Sequence, residues 1–311
     1  MKIIKWITVA LFVLLALLII WVSVLHLRSF EESEAYTQEF KANAAGEFVS
    51  LEVGETHYTI DGDETAPTVI LVHGFSMPME VWGTTARNLV ARGYRVVQYD
   101  LLGRGFSERP DVPYTGELFE RQLIGLMDAL GVDKARGIVG LSMGGAVTAR
   151  VVANHPDRFE TAAFIAPLHE PIAAPGVPAS LGFYMFSAFY VPSLENSISP
   201  EHYGASVAAH LTESYQQQRK GEGFVRAITS SVYNFTPDDH PAYYARIAEA
   251  GIPTLLFWGT ADKTVPFAQH EAVMESLNLD ATGLVTFEGA GHLPHLEQPD
   301  VFVEYLTGFL R

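Results

Sequence analysis

The sequence predicts an α/β fold: a mostly parallel central sheet with helices on both faces, an inserted helical cap and one N-terminal transmembrane helix. Strand-like runs alternate with helix-like segments through most of the chain, which is the pattern of a parallel sheet covered on both sides. That alternation stops between about residues 168 and 245, where prolines and aromatic residues accumulate. Residues 6–25 form one continuous apolar run.

These observations predict four parts of the chain. The bounds we expect are a membrane anchor at 1–28, a polar and mobile linker at 29–46, a core at 47–167 and 246–311, and a cap at 168–245.

The first half of the core begins with a predicted hairpin, in which "FVSLEV" and "HYTI" turn around Gly54. "TVILV" then reads as a strand buried on both faces, because it is apolar throughout and rich in β-branched residues. Three further strands are predicted at "YRVVQYD", "ARGIVGLS" and "FETAAFIAP". The helices between and after these strands are predicted at "EVWGTTARNLVARG", "GELFERQLIGLMDALGV" and "MGGAVTARVVANHP".

Alternation resumes after the predicted cap. The remaining elements are the strand "PTLLFWGT", a helix near "FAQHEAVMESLNL", the strand "GLVTFEG" and the closing helix "DVFVEYLTGFL".

The apolar run from Trp6 to Leu25 contains 20 residues, and about 20 such residues cross the bilayer hydrocarbon as a helix. Trp6 and Trp21 suit the two interfacial depths. The alternative is a cleaved signal peptide, whose apolar region is about 7–15 residues long. "ANA" at residues 42–44 resembles a cleavage site, but it lies far beyond the apolar run. We therefore favour an uncleaved single-pass anchor.

The orientation of this anchor follows from its flanking charges. Lys2 and Lys5 precede the run, whereas Arg28 follows it and is itself followed by the acidic "FEESE". Positively charged flanks stay in the cytoplasm, so we expect the large domain on the periplasmic or extracellular side.

Composition excludes several classes of function. The chain has 20 Lys and Arg against 36 Asp and Glu, a net charge of −16, which argues against nucleic acid as a partner because phosphate binding needs clustered basic residues. The chain has no cysteine, which excludes disulfides, thiolate nucleophiles and cysteine-based metal sites. We expect neither a metal nor an organic cofactor, and the sequence leaves the oligomeric state open.

The stretch "VGLSMGGAV" contains the strongest chemical signal. Gly140-Leu141-Ser142-Met143-Gly144 matches G-x-S-x-G where a predicted strand meets a predicted helix. Such a turn exposes the serine hydroxyl and crowds the residues beside it. Glycines on both sides of the serine relieve this crowding because they have no side chain. We interpret Ser142 as a nucleophile; the alternative is a structural glycine turn.

Attack on a carbonyl needs hydrogen-bond donors for the oxyanion that forms. The backbone N–H of Met143, directly after the serine, is the first candidate. The loop "HGFSMP" follows a central strand and offers the N–H of Phe75 as the second. We interpret His73 as a structural residue of that loop.

A serine nucleophile also needs a general base and an acid that orients it. His292, in the loop "EGAGHLPHLEQP" before the last helix, is our candidate base, with His295 as its nearest competitor. Asp262 follows a late strand, where it can reach His292. Asp100 also follows a strand, and we assign it a structural role.

The motifs "VHGF", "DLLGRGFSERP", "VGLSMGGAV", "GTADKTVP" and "GAGHLPHLEQP" resemble, in type and order, those of α/β-hydrolases of the lipase, esterase and C–C hydrolase group. The resemblance implies an α/β-hydrolase fold, a Ser142–His292–Asp262 triad, an oxyanion hole from Phe75 and Met143, and a lid over the pocket. Serine as nucleophile argues against epoxide hydrolases and haloalkane dehalogenases, which carry aspartate there.

The predicted anchor and aromatic cap are similar to membrane-bound monoacylglycerol lipases, so a lipophilic carboxylic ester, or a lipid, is the expected substrate. C–C hydrolases, enol-lactonases and cofactor-free haloperoxidases share the elbow or the triad and stay open as alternatives, as does a non-enzymatic binding module on the same scaffold. The cap residues that could line an acyl pocket, contact the membrane or simply pack on the core are Phe183, Tyr184, Phe186, Phe189 and Tyr190.

Overall fold

A computed structural model describes residues 2–311 and contains one eight-stranded sheet. The strands are β1 Glu47–Leu51, β2 Gly54–Asp61, β3 Thr68–Val72, β4 Arg95–Tyr99, β5 Gly137–Leu141, β6 Ala162–Ile165, β7 Thr254–Gly259 and β8 Leu284–Phe287. Their spatial order is β1-β2-β4-β3-β5-β6-β7-β8.

The sheet is mostly parallel, as predicted. β1 and β2 form the expected hairpin, with Leu51 opposite Gly54, and β2 pairs antiparallel with β4. Every other neighbouring pair, from β4–β3 to β7–β8, is parallel. The predicted fold class is therefore confirmed, and all strands from β3 to β8 end at the same edge of the sheet.

Helices account for most of the remaining structure. Within residues 2–311 the α-helices are α1 Lys2–Ser29, α2 Gln38–Lys41, α3 Gly83–Val90, α4 Gly116–Ala129, α5 Met143–Asn154, α6 Ala179–Met185, α7 Val191–Ser197, α8 Pro200–Tyr203, α9 Ala205–Lys220, α10 Phe224–Asn234, α11 His240–Glu249, α12 His270–Ser276, α13 Pro294–Glu297 and α14 Pro299–Phe309. A π-helical turn, Phe186–Tyr190, joins α6 to α7.

Two hydrophobic cores lie on the two faces of the sheet, and β3 shows why its sequence is apolar throughout. Ile70 and Val72 point into the core that α4, α5, α11 and α12 cover. Val69 and Leu71 point into the other core, beneath α3 and α14. Successive strand residues face opposite sides, so a strand covered on both faces must be apolar at every position.

The segment predicted as a cap is helical. It contains α6 to α10, with the π-helical turn between α6 and α7. The predicted boundary between residues 245 and 246 falls inside α11, a helix that packs against α5 of the core. The domain bounds otherwise stay a prediction.

The stretch at 29–46, which we expect to be a mobile linker, makes specific contacts with the rest of the chain. Phe40 on α2 is 1% exposed. The Glu32 carboxylate accepts hydrogen bonds from the backbone N–H groups of Gly223 and Val225, each at 2.7 Å. These are the free donors at the start of α10, and they tie the segment after α1 to the cap.

Candidate active site

Ser142 lies at the junction between β5 and α5, at the edge where the parallel strands end. Its φ of 53° and ψ of −120° place a non-glycine residue in a backbone region that costs about 1–3 kcal/mol. Strain of this kind persists where the surroundings enforce it, and here the sheet and α5 do so.

Two glycines make this sharp turn possible. A Cβ on Gly140 would meet the backbone of Gly144 and the Thr148 hydroxyl. A Cβ on Gly144 would meet the carbonyl groups of Val72 and His73. Since backbone atoms cannot move aside cheaply, both positions require glycine, which is the crowding that the sequence pattern predicts.

His292 and Asp262 meet from two different loops. Asp262 follows β7 and is 6% exposed, whereas His292 follows β8. His292 Nδ1 lies 2.7 Å from Asp262 Oδ2, while Asp262 Oδ1 accepts the N–H groups of Thr264 at 2.8 Å and Val265 at 3.0 Å. The carboxylate is therefore fixed in orientation, and it orients the imidazole through Nδ1.

The two predicted oxyanion donors belong to segments next to Ser142. Met143 is the first residue of α5, so its N–H has no partner within the helix. Within residues 2–311, the N–H groups of Met143 and Phe75 have no hydrogen-bond acceptor. Cβ of a residue at Gly74 would contact Ser142 Cβ at 3.4 Å, so the Phe75 loop passes directly beside the serine.

Arg104 supports this loop, and the sequence reasoning missed it. The side chain is 0% exposed, and its Nε donates to the Phe75 carbonyl oxygen at 2.9 Å. Its Nη2 donates to Ser231 Oγ at 2.9 Å. Burial lowers the pKa of Arg104 to about 10, so the guanidinium stays charged at neutral pH. The available signal was a basic residue between two glycines just after β4.

The competing histidines are structural. His73 accepts the Leu101 N–H at Nε2 and lies 2.8 Å from the Gly74 carbonyl at Nδ1, and burial lowers its pKa to about 4. His295 is fully buried beside Trp82, with ring centroids 4.7 Å apart, and burial lowers its pKa to about 3. Both ring nitrogens of His73 are thus engaged, and His295 is enclosed beside Trp82, outside the cavity that Ser142 lines.

A second buried histidine–aspartate pair lies near β2 and β4. His57 Nδ1 is 2.7 Å from Asp100 Oδ2, and both side chains are 0% exposed. The other ring nitrogen of His57 is 3.0 Å from the Ala45 carbonyl, so this pair has no free base. Asp100 also accepts the Met79 and Phe106 N–H groups, each at 2.9 Å, a structural arrangement.

A comparison with protein families identifies this architecture. The model of the alpha/beta hydrolase family matches residues 69–305, well over half of the chain. The chain belongs to the alpha/beta hydrolase family.

Individual relatives of this hydrolase have different activities. It is 26% identical over 299 residues to a 2-hydroxy-6-oxononadienedioate/2-hydroxy-6-oxononatrienedioate hydrolase of Cupriavidus pinatubonensis, covering 89% of this chain and 99% of that one. The enol-lactonase of Burkholderia xenovorans superposes with a TM-score of 0.66 at 26% identity, over 85% of this chain and 99% of that chain. An esterase of a Rhodococcus species superposes at 0.68 with 20% identity, over 85% and 97%, which shows the fold alone.

A cavity of about 150 Å³ lies over the proposed nucleophile of this hydrolase and is lined by both Ser142 and His292. Of the five predicted cap residues, Tyr190 lines this cavity. Phe186 and Phe189 instead line a neighbouring groove, which Tyr190 also borders.

The other two aromatic cap residues, Phe183 and Tyr184, line neither space. They pack against His26 of α1, with ring centroids 5.7 Å and 4.9 Å apart. The prediction that they line the substrate pocket is not supported, because α1 occupies that side of the cap.

Proposed function

We propose that this chain is a serine hydrolase that cleaves lipophilic carboxylic esters through an acyl-enzyme. Ser142 is the nucleophile, His292 the general base and acid, and Asp262 the group that orients His292. The single observation that carries the proposal is the 2.7 Å contact from His292 Nδ1 to Asp262, on a ring that lines the same cavity as the strained Ser142.

Each residue has one part in the proposed cycle. His292 Nε2 takes the Ser142 proton as Oγ attacks the ester carbonyl, and the N–H groups of Phe75 and Met143 stabilise the oxyanion. His292 then protonates the departing alcohol. A water molecule, activated by the same imidazole, attacks the acyl-enzyme and releases the acid.

The lining of the cavity supports a neutral, apolar substrate. Apart from His292, the lining carries no basic side chain; aromatic, aliphatic and hydroxyl groups make up the rest. A carboxylate transferred to such a site would lose its hydration without gaining a partner. A dicarboxylic substrate such as the dienedioates, on which the Cupriavidus relative acts, therefore fits this site less well than an ester.

C–C or enol-lactone hydrolysis is the second candidate, because two relatives that are 26% identical to this chain carry those activities. The same proposed triad would serve either reaction. Purified protein assayed with p-nitrophenyl esters of rising chain length and with a dienedioate separates the candidates. We expect the rate to rise with acyl length; turnover of the dienedioate with no ester activity would favour C–C hydrolysis.

Ser142→Ala tests the nucleophile. We expect the variant to fold and to lose turnover and labelling by a fluorophosphonate probe, while the exposed Ser50→Ala keeps both. Full esterase activity in Ser142→Ala would refute the assignment. Unlabelled wild-type protein would instead support a binding module.

We also propose that α1 anchors the enzyme in a membrane. Within the described residues, Ile4–Ser29 is one helix long and apolar enough to cross a bilayer, and its most apolar window is 0% buried. A signal sequence meets the same criterion, so the retained N-terminus must be measured by sequencing the membrane-bound protein. Protease added to intact cells should digest the core domain if it lies outside; protection would reverse the orientation.

A further inference from the structure

The anchor does more than precede the catalytic domain, because its last turns pack on the cap. Trp21 of α1 contacts Phe189, with ring centroids 5.5 Å apart. Nδ1 of His26 lies 2.8 Å from the buried hydroxyl of Ser187. The π-helical turn Phe186–Tyr190 is thus held directly against the helix proposed to enter the bilayer.

This contact sets the height of the cap relative to the membrane. The apolar run of α1 ends at Leu25, four residues beyond Trp21, which is about 6 Å along a helix. If the run fills the hydrocarbon layer of about 30 Å, Trp21 and its partner Phe189 lie just inside the layer's edge. Amphipathic surfaces that bind membranes bury their apolar side chains to similar depths, about 5–10 Å.

The surface beside α1 has the composition that this depth requires. Large apolar side chains of α6 and the π-helical turn are left exposed there, and they are Leu181 at 46%, Tyr184 at 45%, Met185 at 45% and Phe189 at 39%. Exposed apolar patches mark sites of contact with a protein, a membrane or a ligand, and the proposed anchor directly beside this patch favours the membrane.

A groove opens on this same surface and shares one wall residue, Tyr190, with the cavity over the nucleophile. It has a volume of about 430 Å³ and is lined by Met185, Phe186, Phe189 and Tyr190 among others. Tyr190 is also a wall of the 150 Å³ cavity over Ser142, where its hydroxyl lies 3.2 Å from Ser76 Oγ. The cavity alone is smaller than the roughly 300–1,000 Å³ typical of ligand sites, whereas the volume of the groove lies within that range.

We infer that the cap surface formed by α6 and the π-helical turn rests in the bilayer, and that an acyl chain of a membrane lipid enters the site through this groove, past Tyr190. The inference rests on the proposed ester hydrolysis and on the anchor. It makes the membrane both the location of the enzyme and the source of its substrate.

The absence of cysteine allows a direct test of depth. A nitroxide is attached to the cysteine of Met185→Cys, and the labelled full chain is reconstituted into phosphatidylcholine vesicles. The control is the same label on Val301→Cys, at a position on α14 that is 43% exposed. We expect the label at 185 to be accessible to oxygen and protected from a water-soluble nickel reagent, with the reverse at 301. Equal nickel accessibility at both positions would overturn the inference.

Activity gives the second test. Leu181→Asp places a charge on the exposed surface without touching the groove or the cavity, and Val301→Asp is its matched control. For a long-chain ester in the same vesicles we expect Leu181→Asp to be at least about tenfold slower, with a soluble short-chain ester and the control unaffected. Equal loss on both esters, or on neither, would refute lateral entry.

These outcomes separate the two proposals. A nickel-accessible label at 185 in protein that still reacts with the fluorophosphonate at Ser142 refutes membrane entry alone. A lipid-embedded label in protein whose Ser142→Ala variant remains fully active refutes the proposed nucleophile alone.

Discussion

Asp262→Asn tests the proposed triad most sharply, because the structure fixes which way the new amide must point. Oδ1 accepts two backbone N–H groups, from Thr264 and Val265, so an asparagine keeps its carbonyl oxygen there. Its NH₂ group then takes the position of Oδ2, 2.7 Å from His292 Nδ1, and donates to that nitrogen. The imidazole proton is forced onto Nε2, the atom that must receive the Ser142 proton.

The expected loss is large because the base is present but in the wrong tautomer. The equivalent change in a Ser-His-Asp site lowers kcat by about 10⁴, which corresponds to about 5 kcal/mol in the activation barrier. The assay is kcat and KM for a p-nitrophenyl ester in detergent. We expect KM to change little, because Asp262 does not line the substrate cavity.

The control is Asp300→Asn, the same chemical change at an exposed residue. It should leave kcat within about twofold of wild type, as surface changes usually do. Refutation would be Asp262→Asn retaining a tenth or more of wild-type kcat in folded protein. In that event Asp262 would be a loop-closing residue, and another group would orient the base.

Two further predictions concern buried residues near the site. Arg104→Leu leaves the Phe75 carbonyl without its 2.9 Å donor and should lower kcat about tenfold or more with KM nearly unchanged. Arg104→Lys should restore part of the lost kcat. A change in KM alone would contradict a positioning role for Arg104. Burial lowers the pKa of His295 to about 3, so between pH 6.5 and 3 only the unfolded chain binds this proton and stability falls as pH falls. The free energy of unfolding of the wild type should fall between pH 7.5 and 5, and in His295→Phe this fall should be smaller by about 2 kcal/mol. Denaturant titration at each pH measures it; an equal fall in both proteins would refute the neutral, buried state of His295.

The sheet could be predicted from the sequence because a strand that is buried on both faces appears as a run of consecutive apolar residues. "TVILV" is apolar at consecutive positions because Val69 and Ile70 face different cores, and no distant contact is needed to recognise that. The turn at Ser142 is equally local, since a Cβ on either of its two glycines would clash with atoms a few residues away or with the end of the adjacent strand. Motifs of this kind carry their structural reason within the motif.

Arg104 and the linker could not be predicted, because their partners are distant in sequence. The Arg104 guanidinium reaches Phe75 and Ser231, and Glu32 reaches the start of α10. In the sequence both look like ordinary solvated charges. Their roles depend on which loops the parallel sheet brings to one edge, and composition does not encode that.

The sequence favours the pair His292–Asp262, and the coordinates add the physical difference between it and the second histidine–aspartate pair. His57 and His292 each lie 2.7 Å from a carboxylate through Nδ1, so spacing alone would rank them equally. The difference lies in the second nitrogen: in His57 it faces the Ala45 carbonyl at 3.0 Å, whereas His292 opens onto the cavity of Ser142. When Nδ1 of a histidine contacts a carboxylate, the surroundings of Nε2 decide whether that histidine is a candidate general base.

The aromatic cap helix shows the same limit and explains why its sequence was ambiguous. A helix with a polar face shows which side meets water, but Phe183, Tyr184, Phe186, Phe189 and Tyr190 follow one another with no such face. The structure divides them among α1, the groove and the Ser142 cavity. A short helix that is apolar on every side, yet remains half exposed beside the proposed membrane anchor, is most simply explained by lipid covering the surface that the protein leaves exposed.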